Sequence, residues 1–463
     1  MTVDALRADH ASLHGYPRDT TPGLRELSTE AVRFKWAFAP SSYTGPSHAS
    51  ILTGKYPSFH EVGFANGVFK ATISGSIASI LHGLGYATAA FVSTIVLRRS
   101  VGLDKGFEQY DDECKEPEVN RPDSLWRRGK DTAHAALRWL HQNKADDCFL
   151  WVHLMDAHGP YSPPSPFDKL FLKDQHWRDE RPLVVVPDGK VGGIPAYQVL
   201  NASKNASGQL VDYKRDWNYY VSQYDGCIAY LDATLKRFVK ALKAKRIWDE
   251  TLLLITSDHG EAMGENGVFF FHGLSVTLDQ VHVPLLLKPP KCIKTTRRVV
   301  DGAVSTLDIA PTILDVVGYD CAHLGVQGRS LFTELAHQKR SSPRFIFAET
   351  EEQCGLLTDR YQHLVPKRPP AIREQSFSLP EPLRREMLFD YRSDPLGMHD
   401  ISSEIKVLTR LRPITAGFLE LAELAHDRIR ASRERAESQP ASSGLTSEDE
   451  SKIRRRLARL GYE

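Results

Sequence analysis

A chain of 463 residues with 59 Lys and Arg against 58 Asp and Glu carries no net field to draw it to nucleic acid or to an anionic membrane. The length predicts two or three domains, or one large α/β unit with additions. No run of about 18 apolar residues and no basic-then-apolar leader is present, so the sequence as written reads as cytoplasmic and without a membrane span.

In chain order, the opening TVD reads as a strand ending at Asp4. The segment TGPSHASILTG (44–54) reads as a helix start, with Pro46 in the first turn where a missing N–H costs nothing. Helical periodicity marks 75–84, 129–143 and 218–245, and short β-rich apolar runs mark 86–94, 148–156, 251–258 and 283–289. Apolar runs separated by amphipathic helices imply an α/β fold with a mostly parallel central sheet covered by helices. The stretch 181–216, with Asn-Ala-Ser sequons at Asn201 and Asn205, reads as a surface insertion in a catalytic domain spanning 1–340. From residue 341, RFIFAETEE, GLLTDRYQHLVP and EMLFDYRSD read as strands of a smaller antiparallel sheet, followed by a helix over 403–431. Residues 341–431 are thus a smaller C-terminal α+β subdomain, and 432–463 a polar linker closed by a short helix. The six cysteines (Cys114, Cys148, Cys227, Cys292, Cys321, Cys354) lack CxxC or Cys/His spacing and read as isolated, mostly buried thiols.

Ligands of such sheets gather at the carboxyl ends of the strands. Three predicted strands end in side chains with chemistry: Asp4; Asp156 followed by His158; Asp258 followed by His259. A hard divalent cation takes carboxylate oxygens and accepts an imidazole nitrogen, so Asp4, Asp258 and His259 are candidate ligands of one ion. Each residue alone also suits a strand-end cap or turn. Thr44 likewise has two readings. It caps the helix that follows, or it is a metal-activated nucleophile toward phosphorus or sulfur, set before a helix N-terminus that favours an anion. Spacing alone does not choose between them.

The ordered motifs resemble the sulfatase branch of the alkaline phosphatase superfamily over nearly the whole chain. TVDALRADHASLHGYPRDTTPGLRELSTEAVRF resembles the family's metal-Asp strand and following helix, and TGPSHASILTGKYPSFHEVG resembles its nucleophile signature. GYATAAFVST, GLDKGFEQYDD, DAHGPYSPP, YDGCIAYLDATL, TSDHGEAMGE, STLDIAPTILDVVG, VQGRSL and LFDYRSDPLGMHDIS follow in the family's order. The resemblance implies that Asp4, Thr44, Asp258 and His259 hold a divalent metal (Ca, Mn, Mg or Zn). It also implies that His158 and His272 contact the transferred or leaving group.

The sequence departs from that pattern in three places. Thr44 stands where sulfatases carry the Cys or Ser that becomes formylglycine. Its β-carbon bears a methyl group, so no formylglycine is expected. His48 replaces the signature Arg and joins the catalytic set, and a Lys- and His-bearing segment appears here as VSTI (92–95). The lost cations leave room for a second metal, with Asp156, His158 and His272 as its candidate ligands. Asp4 should close a central strand with more than three residues before it, so the reading frame is expected to begin upstream, which leaves a periplasmic or secreted location open.

The expected function is metal-dependent hydrolysis of a phosphoester or phosphonate ester, favoured over a sulfate ester, with Thr44 as nucleophile. The substrate would be a small-molecule or a glycan- or lipid-linked ester, with no nucleic-acid partner. The alternatives are a true sulfatase, a head-group transferase, or a binding protein on a decayed hydrolase fold.

Overall fold

The computed structural model describes residues 1–60, 62, 75–173, 182–187, 190–205, 210–295, 297–336, 344–367 and 379–437. An eight-stranded sheet is built from β1 (Thr2–Val3), β2 (Val32–Phe38), β3 (Ala87–Phe91), β4 (Gln109–Asp111), β5 (Cys148–Leu154), β6 (Leu253–Ser257), β7 (His282–Lys288) and β8 (Val299–Ser305). Its order is β8-β2-β7-β6-β1-β5-β3-β4, and only β7 runs against its neighbours. The mostly parallel sheet expected from the sequence is therefore present.

Successive strand residues feed opposite cores, which is why the strands read as unbroken apolar runs. Ala89, Phe91, Val152 and Leu154 face one core, shared with α4 (Gly129–Gln142) and α5 (Trp217–Ala244); α1, α2 and α3 are Pro22–Leu27, Thr44–Thr53 and Ile77–Gly83. Ala90, Val92 and Trp151 face another, shared with α2, α3 and α6 (Ile309–Val316). Burying each of the larger ones, such as Phe91, Val152 or Leu154, contributes roughly 1.5–3 kcal/mol.

The sequence reading missed three strands, β2, β4 and β8. In β2, Val32, Phe34 and Trp36 are buried while Lys35 is exposed, so the strand hides inside a charged stretch that reads as the tail of a helix.

The small sheet is β9 (Ile346–Glu349), β10 (Gln353–Leu357), β11 (Tyr361–Pro366) and β12 (Met387–Asp390), all antiparallel. The run GLLTDRYQHLVP is two of these strands rather than one. A turn at 358–360 separates them, with Thr358 N–H donating to Tyr361 O at 2.9 Å. This sheet shares one apolar core with Trp36, Phe38 and Ala303 of the large sheet. The last described helix, α7 (Ile405–Glu437), runs past residue 431 into the stretch expected to be linker. The expected short terminal helix lies outside the described residues.

Part of the 181–216 insertion is interior: Ile194, Tyr197, Gln198 and Val199 are buried, while Asn201 is exposed. No cysteine is disulfide-bonded. Three (Cys114, Cys227 and Cys354) are buried, fewer than expected, and Cys148 and Cys292 are exposed. Among the described residues no helix is long and apolar enough to cross a membrane.

Candidate active site

The strands β6, β1 and β5 lie side by side and point the same way, with Val3 paired to Ser257 on one side and Leu154 on the other. That register sets the next residues, Asp4 and Asp258, at one level. Asp4 N–H donates to Leu154 O at 2.9 Å, and Asp258 N–H to Val3 O at 3.1 Å. The chain then turns through Ala5 with φ 57°, a left-handed conformation uncommon for a side-chain-bearing residue, and Ala5 N–H donates to Asp258 Oδ1 at 3.2 Å.

Asp4, Asp258 and His259 present one ligand atom each within 4.8 Å of one another, all buried. His259 Nε2 lies 3.5 Å from Asp4 Oδ1 and 3.5 Å from Asp258 Oδ2. Its Nδ1–H donates to Gly260 O at 2.8 Å, which leaves the Nε2 lone pair facing the carboxylates. Asp4 Oδ1 and Asp258 Oδ2 are buried without a hydrogen-bond partner. Two buried carboxylate oxygens without a donor are costly as they stand, and a divalent cation would satisfy both together with the His259 nitrogen. The residues fit the ion the sequence reading expected.

The electrostatics agree. Burial opposes ionisation of Asp4, but the imidazoles of His158, His153 and His259 outweigh it and hold the carboxyl below its usual range. Burial and then the Asp4 charge push Asp258 well above its usual range. Burial, followed by the neighbouring His272, lowers His259 and keeps it a neutral ligand.

Thr44 is the first residue of α2, not its cap. The cap position is Tyr43, with extended backbone and no side-chain bond to the helix. Thr44 Oγ1 instead lies 3.1 Å from His259 Nε2, at the rim of the ligand cage. The helix N-terminus thus delivers the hydroxyl, and Ser47 Oγ ties that end down by donating to Asp258 O at 2.6 Å. At the other end, Gly54 closes α2 with φ 69°, where a β-carbon would fall 2.6 Å from Val326 Cγ1.

His48, expected in the catalytic set, is fully buried beside the cage with Nδ1 3.5 Å from Asp258 Oδ2, and it forms a second group of candidate ligands with His153 and Asp258. Its Nδ1–H donates to Thr44 O at 2.8 Å, and its Nε2 accepts from the Thr2 hydroxyl at 3.0 Å. Burial, then His153, lowers it to about 3, so it is a neutral wedge and supplies no cation in place of the signature Arg. His153 was absent from the sequence reading. It sits on β5 with Nε2 3.4 Å from Asp4 Oδ2, under the oxygen that faces away from the cage.

His158 and His272 come together beside the cage, with ring centroids 5.1 Å apart. His272 is 4.3 Å from the His259 ring. At 8% and 6% exposure these two imidazoles are the most open of the group. His158 Nδ1–H donates to Gly159 O at 2.6 Å. Glu261, the second residue missed, is fully buried with Oε1 3.1 Å from His272 Nδ1. Burial opposes the His272 charge, but Glu261 outweighs it and raises that imidazole.

Asp156 does not gather with His158 and His272 into a ligand group among the described residues. One oxygen caps α4, accepting Gly129 N–H at 2.9 Å, and a β-carbon at Gly129 would fall 2.1 Å from it. Burial raises the carboxyl to about 7. The second-metal set therefore lacks its carboxylate in the required place.

Comparison with known proteins matches this arrangement to a family. The family model described as Sulfatase matches residues 1–319. The multifunctional alkaline phosphatase superfamily protein PehA of Trinickia caryophylli is 31% identical over 381 residues, covering 70% of this chain and 73% of that protein. An N-acetylglucosamine-6-O-sulfatase of Bacteroides thetaiotaomicron is 22% identical, covering 87% of this chain and 81% of that one. Among solved structures, a phosphonate monoester hydrolase of Agrobacterium radiobacter superposes with TM-score 0.64 at 19% identity, covering 92% of this chain and 95% of that one. The chain belongs to the sulfatase family within the alkaline phosphatase superfamily, a hydrolase of sulfuric or phosphoric esters.

Proposed function

We propose that this protein hydrolyses a phosphodiester or phosphonate monoester in preference to a sulfate ester, with the Thr44 oxygen as direct nucleophile. The observation that carries the reading is the 3.1 Å approach of Thr44 Oγ1 to His259 Nε2, with no capping bond competing for the hydroxyl. Asp4, Asp258 and His259 would hold a divalent ion. When bound, that ion supplies positive charge that favours ionised Thr44 and offsets the charge of the ester.

Thr44 Oγ1 attacks phosphorus, a new O–P bond forms, and the bond from phosphorus to the leaving oxygen breaks. His158 and His272 stand where the departing alkoxide needs a proton, and one of them supplies it. Water then attacks the threonyl ester at phosphorus, gives its proton to the same imidazole, and the bond from phosphorus to Thr44 Oγ1 breaks, which releases the product and returns Thr44 as the ionised oxygen that began the cycle. A formylglycine hydrate sheds its sulfate by internal collapse, a route closed to Thr44 because its β-carbon carries a methyl group. Attack by water on phosphorus is the step a threonyl ester needs. The substrate class extends to small-molecule and to glycan- or lipid-linked esters.

The test is a panel of 4-nitrophenyl sulfate, phosphate, phosphodiester and phosphonate monoester with manganese, calcium, magnesium or zinc. The reading expects the highest kcat/KM on the phosphodiester or phosphonate. Sulfate as the best substrate would overturn it, and the true-sulfatase alternative would take its place.

A further inference from the structure

Glu261 is an acidic side chain placed in the interior beside the cage. It is fully buried, and a buried polar group is costly unless it is hydrogen-bonded. Its backbone is anchored on both sides: Glu261 N–H donates to Asp279 O at 3.0 Å, and its carbonyl accepts from Arg7 Nη1 at 3.0 Å. Of the side-chain oxygens, Oε2 has no hydrogen-bond partner and Oε1 meets His272 Nδ1 at 3.1 Å. Helix capping and cage ligation do not involve it. The Tyr161 hydroxyl also neighbours this carboxyl, and the active-site group it contacts is the His272 imidazole.

We propose that Glu261 is the positioning residue of His272, holding Nδ1–H so that Nε2, on the opposite edge of the ring, stays directed at the leaving group. This rests on the hydrolase reading above and assigns roles within it. His272 is the acid that protonates the leaving oxygen, and Glu261 fixes its tautomer and ring angle. Two further contacts hold the ring from its faces, His259 at 4.3 Å and Phe271 at 5.9 Å with interplanar 17°. His158 meets the ring at 5.1 Å, and the Glu261 carboxylate is the hydrogen-bond partner of its Nδ1 edge. A buried acceptor behind a catalytic imidazole orients it and selects the nitrogen that carries the proton. In turnover, Nε2–H is transferred to the departing oxygen as its bond to phosphorus breaks, and the proton returns to Nε2 from the attacking water. Glu261 forms and breaks no covalent bond.

The experiment compares wild type, Glu261→Gln, His272→Ala and the double variant on two phosphodiesters, one releasing 4-nitrophenol and one releasing phenol. An amide at 261 can donate to Nδ1 instead of accepting from it, which presents the wrong tautomer. Expected for Glu261→Gln is a kcat loss of roughly 10²-fold or more on the phenyl ester, a clearly smaller loss on the nitrophenyl ester, and KM nearly unchanged. The double variant should be no slower than His272→Ala. Equal losses on the two esters, or losses that multiply in the double variant, would mean that Glu261 merely holds the fold, and the proposal falls. An inactive wild type would instead defeat the hydrolase reading itself.

Discussion

Thr44 Oγ1 lies 3.1 Å from His259 Nε2, although 215 residues separate them in the chain. The β6 strand end supplies the imidazole and the α2 N-terminus supplies the hydroxyl. Thr44→Ala removes the proposed reacting oxygen together with one buried methyl group, a small change in volume at the helix end. Thr44→Ala should therefore keep the wild-type melting temperature within a few degrees and lose kcat by a factor on the order of 10⁴ to 10⁶. Thr44→Ser, which keeps the oxygen, should retain far more. Steady-state kinetics beside thermal melts make the comparison, and an active Thr44→Ala would reject the assigned role.

The cage predicts a thermal response to metal. Asp4 Oδ1 and Asp258 Oδ2 are buried and unpartnered, so a cation that fills the gap binds the folded state alone. At about 100 times its dissociation constant, such a ligand stabilises by about 2.7 kcal/mol. Wild type should melt higher with manganese or calcium than with a chelator, and Asp4→Asn or Asp258→Asn should abolish the difference. A full response in both variants would place the ion elsewhere.

How much of this was legible in the sequence depends on what each residue's neighbours in the chain reveal. Asp4, Asp258 and His259 were readable because each ends a strand, and parallel neighbours carry strand ends to one edge. His153 was not, because a lone His inside CFLWVHL reads as core. It comes within 3.4 Å of Asp4 because it pairs with Thr2 across the sheet. Glu261 was quoted within its motif but given no role, since its partner His272 lies eleven residues on, across a two-stranded ribbon of Ala262–Met263 with Phe269–Phe271. The helix-cap reading of Thr44 is sound as local chemistry, and it misses by one residue, because Tyr43 holds the cap position and Thr44 opens the helix.

His60 braces α2 in one protonation state. Its Nε2 side faces Pro46 O at 3.2 Å and Ser50 Oγ at 3.0 Å, while its Nδ1 accepts Val62 N–H at 3.2 Å. Burial lowers the imidazole to about 4 from 6.5. A proton on Nδ1 would break the Val62 bond. Because the unfolded chain takes that proton first, this contribution is complete above about pH 6.5 and is lost as pH falls toward 4. It amounts to at most about 3 kcal/mol. Melting temperatures of wild type and His60→Gln across pH 4 to 7 should therefore converge on acidification. Parallel curves would show that His60 is not the titrating brace.

Arg7 ties the loop after β1 to the loop after β6. Buried at 1% exposure, it reaches Asp9 Oδ2 at 2.7 Å, Glu265 Oε1 at 2.9 Å and Glu261 O at 3.0 Å. Arg7→Met would leave buried carboxylates without their counter-charge, and breaking such a pair costs about 3–5 kcal/mol. Denaturant titration should show a loss of that order. A loss under about 1 kcal/mol would mean that the loops are held by packing alone.

The central claim is that Thr44 itself becomes esterified. Metal-loaded protein mixed with a 4-nitrophenyl phosphonate monoester, quenched in acid within one turnover and digested for peptide mass spectrometry, tests it most directly. The account predicts a phosphonyl adduct on the peptide containing Thr44, absent from Thr44→Ala. An adduct on a different residue, or undiminished turnover by Thr44→Ala, would contradict it.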